Sequence, residues 1–192
     1  FSASAVPAAS VLHPNFMEKQ TSVQRNLDTA KKLLAESGFS QSEPLSLTLL
    51  YCTDGADRAQ TANQIAAQLA EAGIRISLDG KPEKEYFSAL ASGNYDLYLG
   101  EILLGDDMNF SHLFTKGDRY GYGVVPSEAL MNAYQTAFST GNGWDAFLKA
   151  FEAEYPIVPL AFRNATLSFS RKYSVNVTAT ASNLFYNIDS WQ

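Results

Sequence analysis

The stretch Leu45–Asp79, "LSLTLLYCTDGADRAQTANQIAAQLAEAGIRISLD", decides the fold class. "LSLTLLY" reads as a strand, bounded by Pro44 before it and by the turn signal "TDGAD" after it. Asp54 or Asp57 is placed to cap the helix that follows. In that helix Ala62, Ile65, Ala66 and Leu69 recur at the spacing of one helical face, and Gly73 stands where a helix-ending glycine belongs. "IRISLD" is a second strand. A strand, a helix of this length and another strand make a right-handed crossover and hence parallel pairing.

The same rhythm runs outward on both sides. "RNLDTAKKLLAESGF" is an amphipathic helix with Leu27, Ala30, Leu33 and Leu34 on one face and Gly38 after it. "EKEYFSALASG" is a short helix with Tyr86, Phe87 and Leu90 facing inward, and "YDLYLGEI" is a third strand. The fold class expected is therefore α/β, with a mainly parallel sheet and flanking helices. After Ile102 the rhythm breaks. "DMNFSHLFTKGDRYGYGVVP" is irregular and rich in glycine and aromatics. Two helices follow, "SEALMNAYQTAF" and "GWDAFLKAFEAEYP", and "IVPLAFRNATLSFSRKY" reads as two strands turning near "RNAT". Residues 1–25 read as an irregular lead-in, and 173–192 as a tail without periodicity.

Composition narrows the function classes. Of 192 residues 46% are hydrophobic and 18% charged, which is globular rather than disordered. The formal charge of −6 argues against nucleic acid as a partner, since phosphate binding needs clustered Lys and Arg. Cys52 is the single cysteine and His13 and His112 are the only histidines, so neither an intrachain disulfide nor a tetrahedral zinc site is expected. No cofactor or metal is called for. No apolar run is long enough to span a membrane, and "FSASAVPAASVLHP" lacks the basic start and apolar core of a signal peptide.

Ligands of open α/β sheets gather at the carboxyl ends of the strands. The three early strands end at Tyr51–Cys52, at Asp79 and at Glu101–Leu104. The stretch "YDLYLGEILLGDDMNF", Tyr95–Phe110, thus lies where a site belongs. Its Glu101, Asp106 and Asp107 read in two ways: as a carboxylate pair for acid/base chemistry, or as solvated turn residues, the plainer reading because Asp favours turns. Nucleophilic catalysis has less behind it. There is no Gly-x-Ser-x-Gly elbow, Cys52 is expected to be buried and inert, and His112 is expected to be an ordinary half-buried side chain. The Gly-x-Gly of "DRYGYGVV" follows no strand and makes a weak phosphate cradle. The triplets "NAT" and "NVT" match a glycosylation pattern that also arises by chance.

The ordered series "AKKLLAESGF", "IAAQLAEAGI", "YFSALASGNYDLYLGEI" and "YPIVPL" resembles the extracellular solute-binding proteins of family 5, the peptide-, dipeptide- and nickel-binding components of ABC importers. The resemblance runs over nearly the whole chain and includes the early "AVPAASVLHP". It implies the C-terminal lobe of a two-lobed, class II periplasmic-binding-protein-like fold: a lead-in over 1–25 from a missing N-terminal lobe, a solute-binding lobe over 26–172, and a tail over 173–192 returning toward the first lobe. It implies no enzyme but a monomeric, extracellular receptor, membrane-anchored or periplasmic, that hands a peptide or similar small solute to ABC permease subunits. In peptide-binding members the strand after "YDL" enters a Trp-x-Ala-Asp-Tyr-x-Asp-Pro pattern, whose backbone pairs with the ligand and whose first Asp meets its amino group. Here the equivalent run is "GEILLGDDMNF". Counting forward puts Ile102 at the Trp, Leu103 and Leu104 before the anchor, and Gly105 at the Asp; counting back from Phe110 puts Leu103 there. Neither register keeps the carboxylate, which leaves Asp106 or Asp107 to supply the charge and Arg163 to meet a ligand carboxylate. The rivals to this reading are a hydrolase or transferase using Glu101 with Asp106 or Asp107, and an interaction module that grips no ligand.

Overall fold

The computed structural model describes residues 5–17, 24–115, 117–118, 120–164, 168, 170, 183 and 185–190. The second strand expected beyond "RNAT", the "NVT" triplet and most of the 173–192 tail lie outside these residues. The chain forms two compact units, residues 24–102 and residues 1–23 with 103–192.

The first unit, 24–102, is the repeating α/β part. It runs α1 (Leu27–Glu36), β2 (Ser46–Cys52), α2 (Ala56–Ala72), β3 (Arg75–Lys81), α3 (Glu83–Ser92) and β4 (Leu97–Leu99), with β1 left to the other unit. All three strands are parallel, in the order β3-β2-β4. The central strand β2 pairs along its whole length with β3, from Ser46 opposite Arg75 to Cys52 opposite Lys81. With β4 it pairs over three positions, Leu49 with Leu97 to Tyr51 with Leu99. Central position explains its continuous apolar run: Leu49, Leu50 and Cys52 are buried under the helices. The crossover from β2 to β3 and the one from β3 back past β2 to β4 run in opposite directions across the sheet, and right-handedness then sets α2 and α3 on opposite faces. From α3, Tyr86, Ala89 and Leu90 complete the core. Leu33 on α1 stays 56% exposed, so the apolar face read from the sequence is only partly covered.

The helix ends follow local chemistry. After α2, Gly73 has φ +95°, its N–H reaches the Ala70 carbonyl and the Ile74 N–H reaches that of Leu69. This is the paired C-terminal closure that a left-handed residue permits. At the other end the expectation of a capping Asp fails. Gly55 is the N-cap of α2 and makes no side-chain cap, whereas the Asp54 carboxylate accepts the Glu83 N–H at the start of α3, 3.1 Å away. A residue close in sequence to one helix caps another because parallel strands bring their carboxyl ends together.

The second unit holds β1 (Ala5–Pro7), α4 (Ser111–Phe114), α5 (Glu128–Thr140), α6 (Trp144–Glu154), β5 (Ala161–Arg163) and a 3₁₀ turn at Ile188–Ser190. β1 pairs antiparallel with β5, Ala5 opposite Arg163 and Pro7 opposite Ala161. Part of the lead-in expected to be irregular is thus a strand, since three residues paired across most of the chain carry no readable period. The core is aromatic. Phe110, Phe114, Tyr134 and Phe147 are buried, with ring centroids 5.3 Å apart for Phe114–Tyr134 and 5.6 Å for Phe110–Phe147.

Tyr134 joins this core to the backbone. Its hydroxyl accepts the buried Phe110 N–H at 2.9 Å and donates to the Asn109 side-chain oxygen at 3.1 Å. Tyr134→Phe keeps the ring and orphans the Phe110 N–H, so it is expected to cost about 1–3 kcal/mol. Urea unfolding would measure this, and an unchanged midpoint would refute it.

α5 and α6 are tied by a carboxylate. Ser127 caps α5, its Oγ accepting the Leu130 N–H at 3.1 Å. The Ser127 hydroxyl donates to Glu154 Oε1, and its N–H donates to Glu154 Oε2 at 3.0 Å. These bonds, the hydroxyl first, hold the Glu154 carboxyl below its ordinary value of 4.5. A depressed carboxylate stabilises the folded form above that ordinary value and loses the contribution as pH falls through the lowered one. Glu154→Gln is therefore expected to be less stable than the parent at about pH 7, with the difference shrinking as the pH is lowered toward about pH 2. Denaturation at both pH values checks this; a pH-independent difference would show that charge is not involved.

Candidate functional site

The carboxyl ends of the strands carry the most organised polar chemistry of the first unit. β2 sends its connection to β3 on one side, while β4 lies on the other, so a switch of direction falls between β2 and β4. Ligands of open α/β sheets bind at such switch points. Two charged side chains meet there. Arg58, in the first turn of α2, places Nη2 2.8 Å from Glu101 Oε2, just beyond β4. Its Nη1 donates to the Asp54 carbonyl. The hydrogen bond that the guanidinium donates to the Glu101 carboxylate raises the Arg58 pKa above its ordinary value, against the opposing effect of desolvation. Two residues earlier along the same exit, the Tyr86 hydroxyl donates to the Leu99 carbonyl at 2.9 Å. Burial pushes the pKa of that phenol well above its ordinary value, which keeps it a donor.

Sequence reasoning missed both Arg58 and Tyr86 in this role. One signal was available for Arg58: a cation in the first turn of a helix opposes the macrodipole, so something else must hold it there.

The predicted binding stretch is not a strand beyond Leu99. β4 ends at Leu99, short of the Tyr95–Ile102 span expected. Over the next residues side chains alternate: Ile102 half-buried, Leu103 80% exposed, Leu104 half-buried. Ile102, Leu103 and Leu104 take part in no hydrogen bond among the described residues, so their N–H and C=O groups are open. The passage from the first unit to the second falls between Ile102 and Leu103.

Gly105, Asp106 and Asp107 form a turn closed by the Met108 N–H on the Gly105 carbonyl at 3.0 Å. Asp107 Oδ1 accepts the Asn109 N–H at 3.3 Å. Both aspartates are exposed, and a Cβ at Gly105 would lie 2.8 Å from Asp107 Oδ1. Arg163 is exposed at the end of β5, opposite Ala5. Glu101 belongs to the first unit, where its carboxylate is engaged by the Arg58 guanidinium, and Asp106 and Asp107 belong to the second. Cys52 is buried, as expected. His112 is not half-buried: its side chain is 71% exposed and its Nδ1 lies 2.8 Å from Asp118 Oδ2. It shares the four-residue α4 with Leu113 and Phe114, which take the buried positions.

A separate groove of about 530 Å³ lies on the second unit, its lining including Ser111, Thr115, Tyr134, Gln135 and Phe138. It shares no residue with the predicted site. Among the described residues no group of three or more His, Cys, Asp or Glu is arranged to hold a metal ion, and no helix is long and apolar enough to cross a membrane.

Known proteins show the same architecture. NikA from Staphylococcus aureus, solved in complex with Ni(L-His)2, superposes with a TM-score of 0.70 at 16% identity, over 83% of this chain and 37% of that one. The Escherichia coli murein tripeptide binding protein MppA gives 0.67 at 20% identity, over 83% and 34%. Haemophilus influenzae OppA in complex with RPPGFSPFR gives 0.64 at 19%, over 84% and 35%. In sequence, the periplasmic oligopeptide-binding protein OppA of Salmonella typhimurium is 29% identical over 76 residues, which are 40% of this chain and 14% of that protein. The chain therefore spans about a third of the length of the solved structures it matches. The model for bacterial extracellular solute-binding proteins, family 5 Middle, matches residues 1–122. With strand order, helices and that match in agreement, the chain belongs to the bacterial extracellular solute-binding proteins of family 5.

Proposed function

We propose that this chain is the ligand-gripping part of the substrate-binding component of an ABC importer, taking an oligopeptide or similar small solute in a cleft between two lobes. Residues 26–172 form one lobe; 1–25 and 173–192 connect it to the other. The receptor works outside the cytoplasmic membrane, anchored or periplasmic, delivers to permease subunits, and catalyses nothing.

The observation that carries this reading is the open backbone of Ile102–Leu104, on the chain that leaves the parallel strand β4. An extended ligand adds to such an edge as a further strand, its affinity coming from main-chain hydrogen bonds and its selectivity from neighbouring side chains. Gly105, in place of an anchoring carboxylate, leaves the ligand's charged end to Asp106 or Asp107, with Arg163 for an opposite charge. Calorimetric titration with mixed tri- to pentapeptides tests the proposal. Saturable binding is expected from the two-lobed protein. One lobe encloses only part of a ligand, so the 192-residue chain alone is expected to bind more weakly than micromolar. No heat from the two-lobed protein with any peptide would overturn the assignment.

A further inference from the structure

Arg58 is tied to more than Glu101. Through the Asp54 carbonyl it holds the loop that follows β2. The Asp54 carboxylate in turn holds the first N–H of α3, directly after β3, and the Thr53 N–H bonds to the Lys81 carbonyl at 2.8 Å. Through Glu101 the same guanidinium holds the residue two places beyond β4. The carboxyl ends of all three parallel strands are thus joined through Asp54 and Arg58. The ladder of β4 stops at Leu99, so past that point register is no longer maintained by pairing with β2. Beyond it, side chains hold the exit: the Tyr86 hydroxyl on the Leu99 carbonyl, and Arg58 on Glu101.

Both members of the ion pair are partly exposed, 35% for Arg58 and 43% for Glu101. An ion pair so placed contributes little to global stability, because water and salt screen it. Its location makes it informative: it spans the switch point and ends on the residue next to Ile102. A guanidinium suits the task, since its rigid fork serves a carbonyl and a carboxylate at once, which a lysine ammonium on a flexible stem does less well.

We propose that Arg58 is a positioning residue for ligand binding. It fixes the chain that leaves β4, through Glu101, so that the backbone donors and acceptors beginning at Ile102 are presented to the ligand in an ordered, extended form. The proposal rests on the binding function argued above. It requires no contact between Arg58 and ligand; its effect passes through Glu101.

Two measurements separate the claims. In the ligand-free chain, amide hydrogen exchange at Glu101 and Ile102 is expected to accelerate in Arg58→Ala, to be partly restored in Arg58→Lys, and to return toward the parent rate in the charge-swapped double variant Arg58→Glu with Glu101→Arg. Unchanged exchange in Arg58→Ala would overturn the positioning role, whether or not peptides bind. In the two-lobed protein, Arg58→Ala is expected to weaken binding of the peptide mixture roughly fivefold, the upper range for a partly exposed pair, with the thermal midpoint little moved. The swapped pair should recover most of that loss. Parent-like affinity in Arg58→Ala would also overturn the proposal. If the parent binds no peptide, the proposed function fails, and exchange alone decides whether Arg58 orders the exit of β4.

Discussion

Gly121→Ala is expected to cost the protein about 3 kcal/mol or more, among the largest losses from any single added methyl group here. Gly121 is buried, and a Cβ built on it falls onto the carbonyl oxygen of Thr115 and within 3.1 Å of that of Leu113. Both oxygens are backbone, so no side chain can rotate away. Leu113 and Phe114 belong to the aromatic core and cannot recede without disturbing it. A loss of this size lowers the thermal midpoint by roughly 6–12 °C for a chain of this length. Gly141→Ala is the control. Gly141 has φ +71° with nothing within 4 Å of a new Cβ, so it carries only the left-handed backbone penalty of about 1–2 kcal/mol. Equal midpoints for the two variants would show that the loop at Gly121 moves aside freely.

Leu103→Pro is expected to weaken peptide binding by about ten- to a hundredfold, while Leu103→Ala leaves it within about twofold. The contrast separates backbone from side chain. The Leu103 side chain is 80% exposed and adds little to the core, so its truncation removes little. Proline deletes the N–H in the middle of the open run Ile102–Leu104 and sets its ring where a ligand strand would lie. A ligand carbonyl facing that position would then be desolvated without a partner. Calorimetry on both variants, with circular dichroism to confirm folding, is the measurement. If Pro and Ala behave alike, the ligand does not pair with this backbone, and the binding role moves to side chains such as Asp106, Asp107 and Arg163.

The regular parts of the fold were legible because their causes are local. The stripe at Ala62, Ile65, Ala66 and Leu69 and the closing Gly73 identify α2 from a single turn's neighbourhood, and the structure has α2 at Ala56–Ala72. The βαβ rhythm identified the parallel sheet, since crossover handedness and connection length leave few other arrangements. The candidate site was read only as a place in the fold. The carboxyl end of the third strand was identified, and "GDD" read more plainly as a turn than as an active site. The three-residue length of β4 was not legible, because "LYLGEI" looks equally like strand throughout, and pairing with β2 decides where it stops.

The sequence by itself thus determined the α/β class, the helices with their glycine stops, and the family resemblance that the comparison with known proteins then showed. These depend on periodicity and on residues adjacent in the chain. Tertiary structure alone decided which helix Asp54 caps, that Arg58 reaches Glu101 forty-three residues away, that Ala5–Pro7 is a strand against Ala161–Arg163, and that Gly121 must lack a side chain. Each of these is a meeting of distant residues, produced by the alignment of strand ends or the packing of a loop on its core, and no local pattern encodes it.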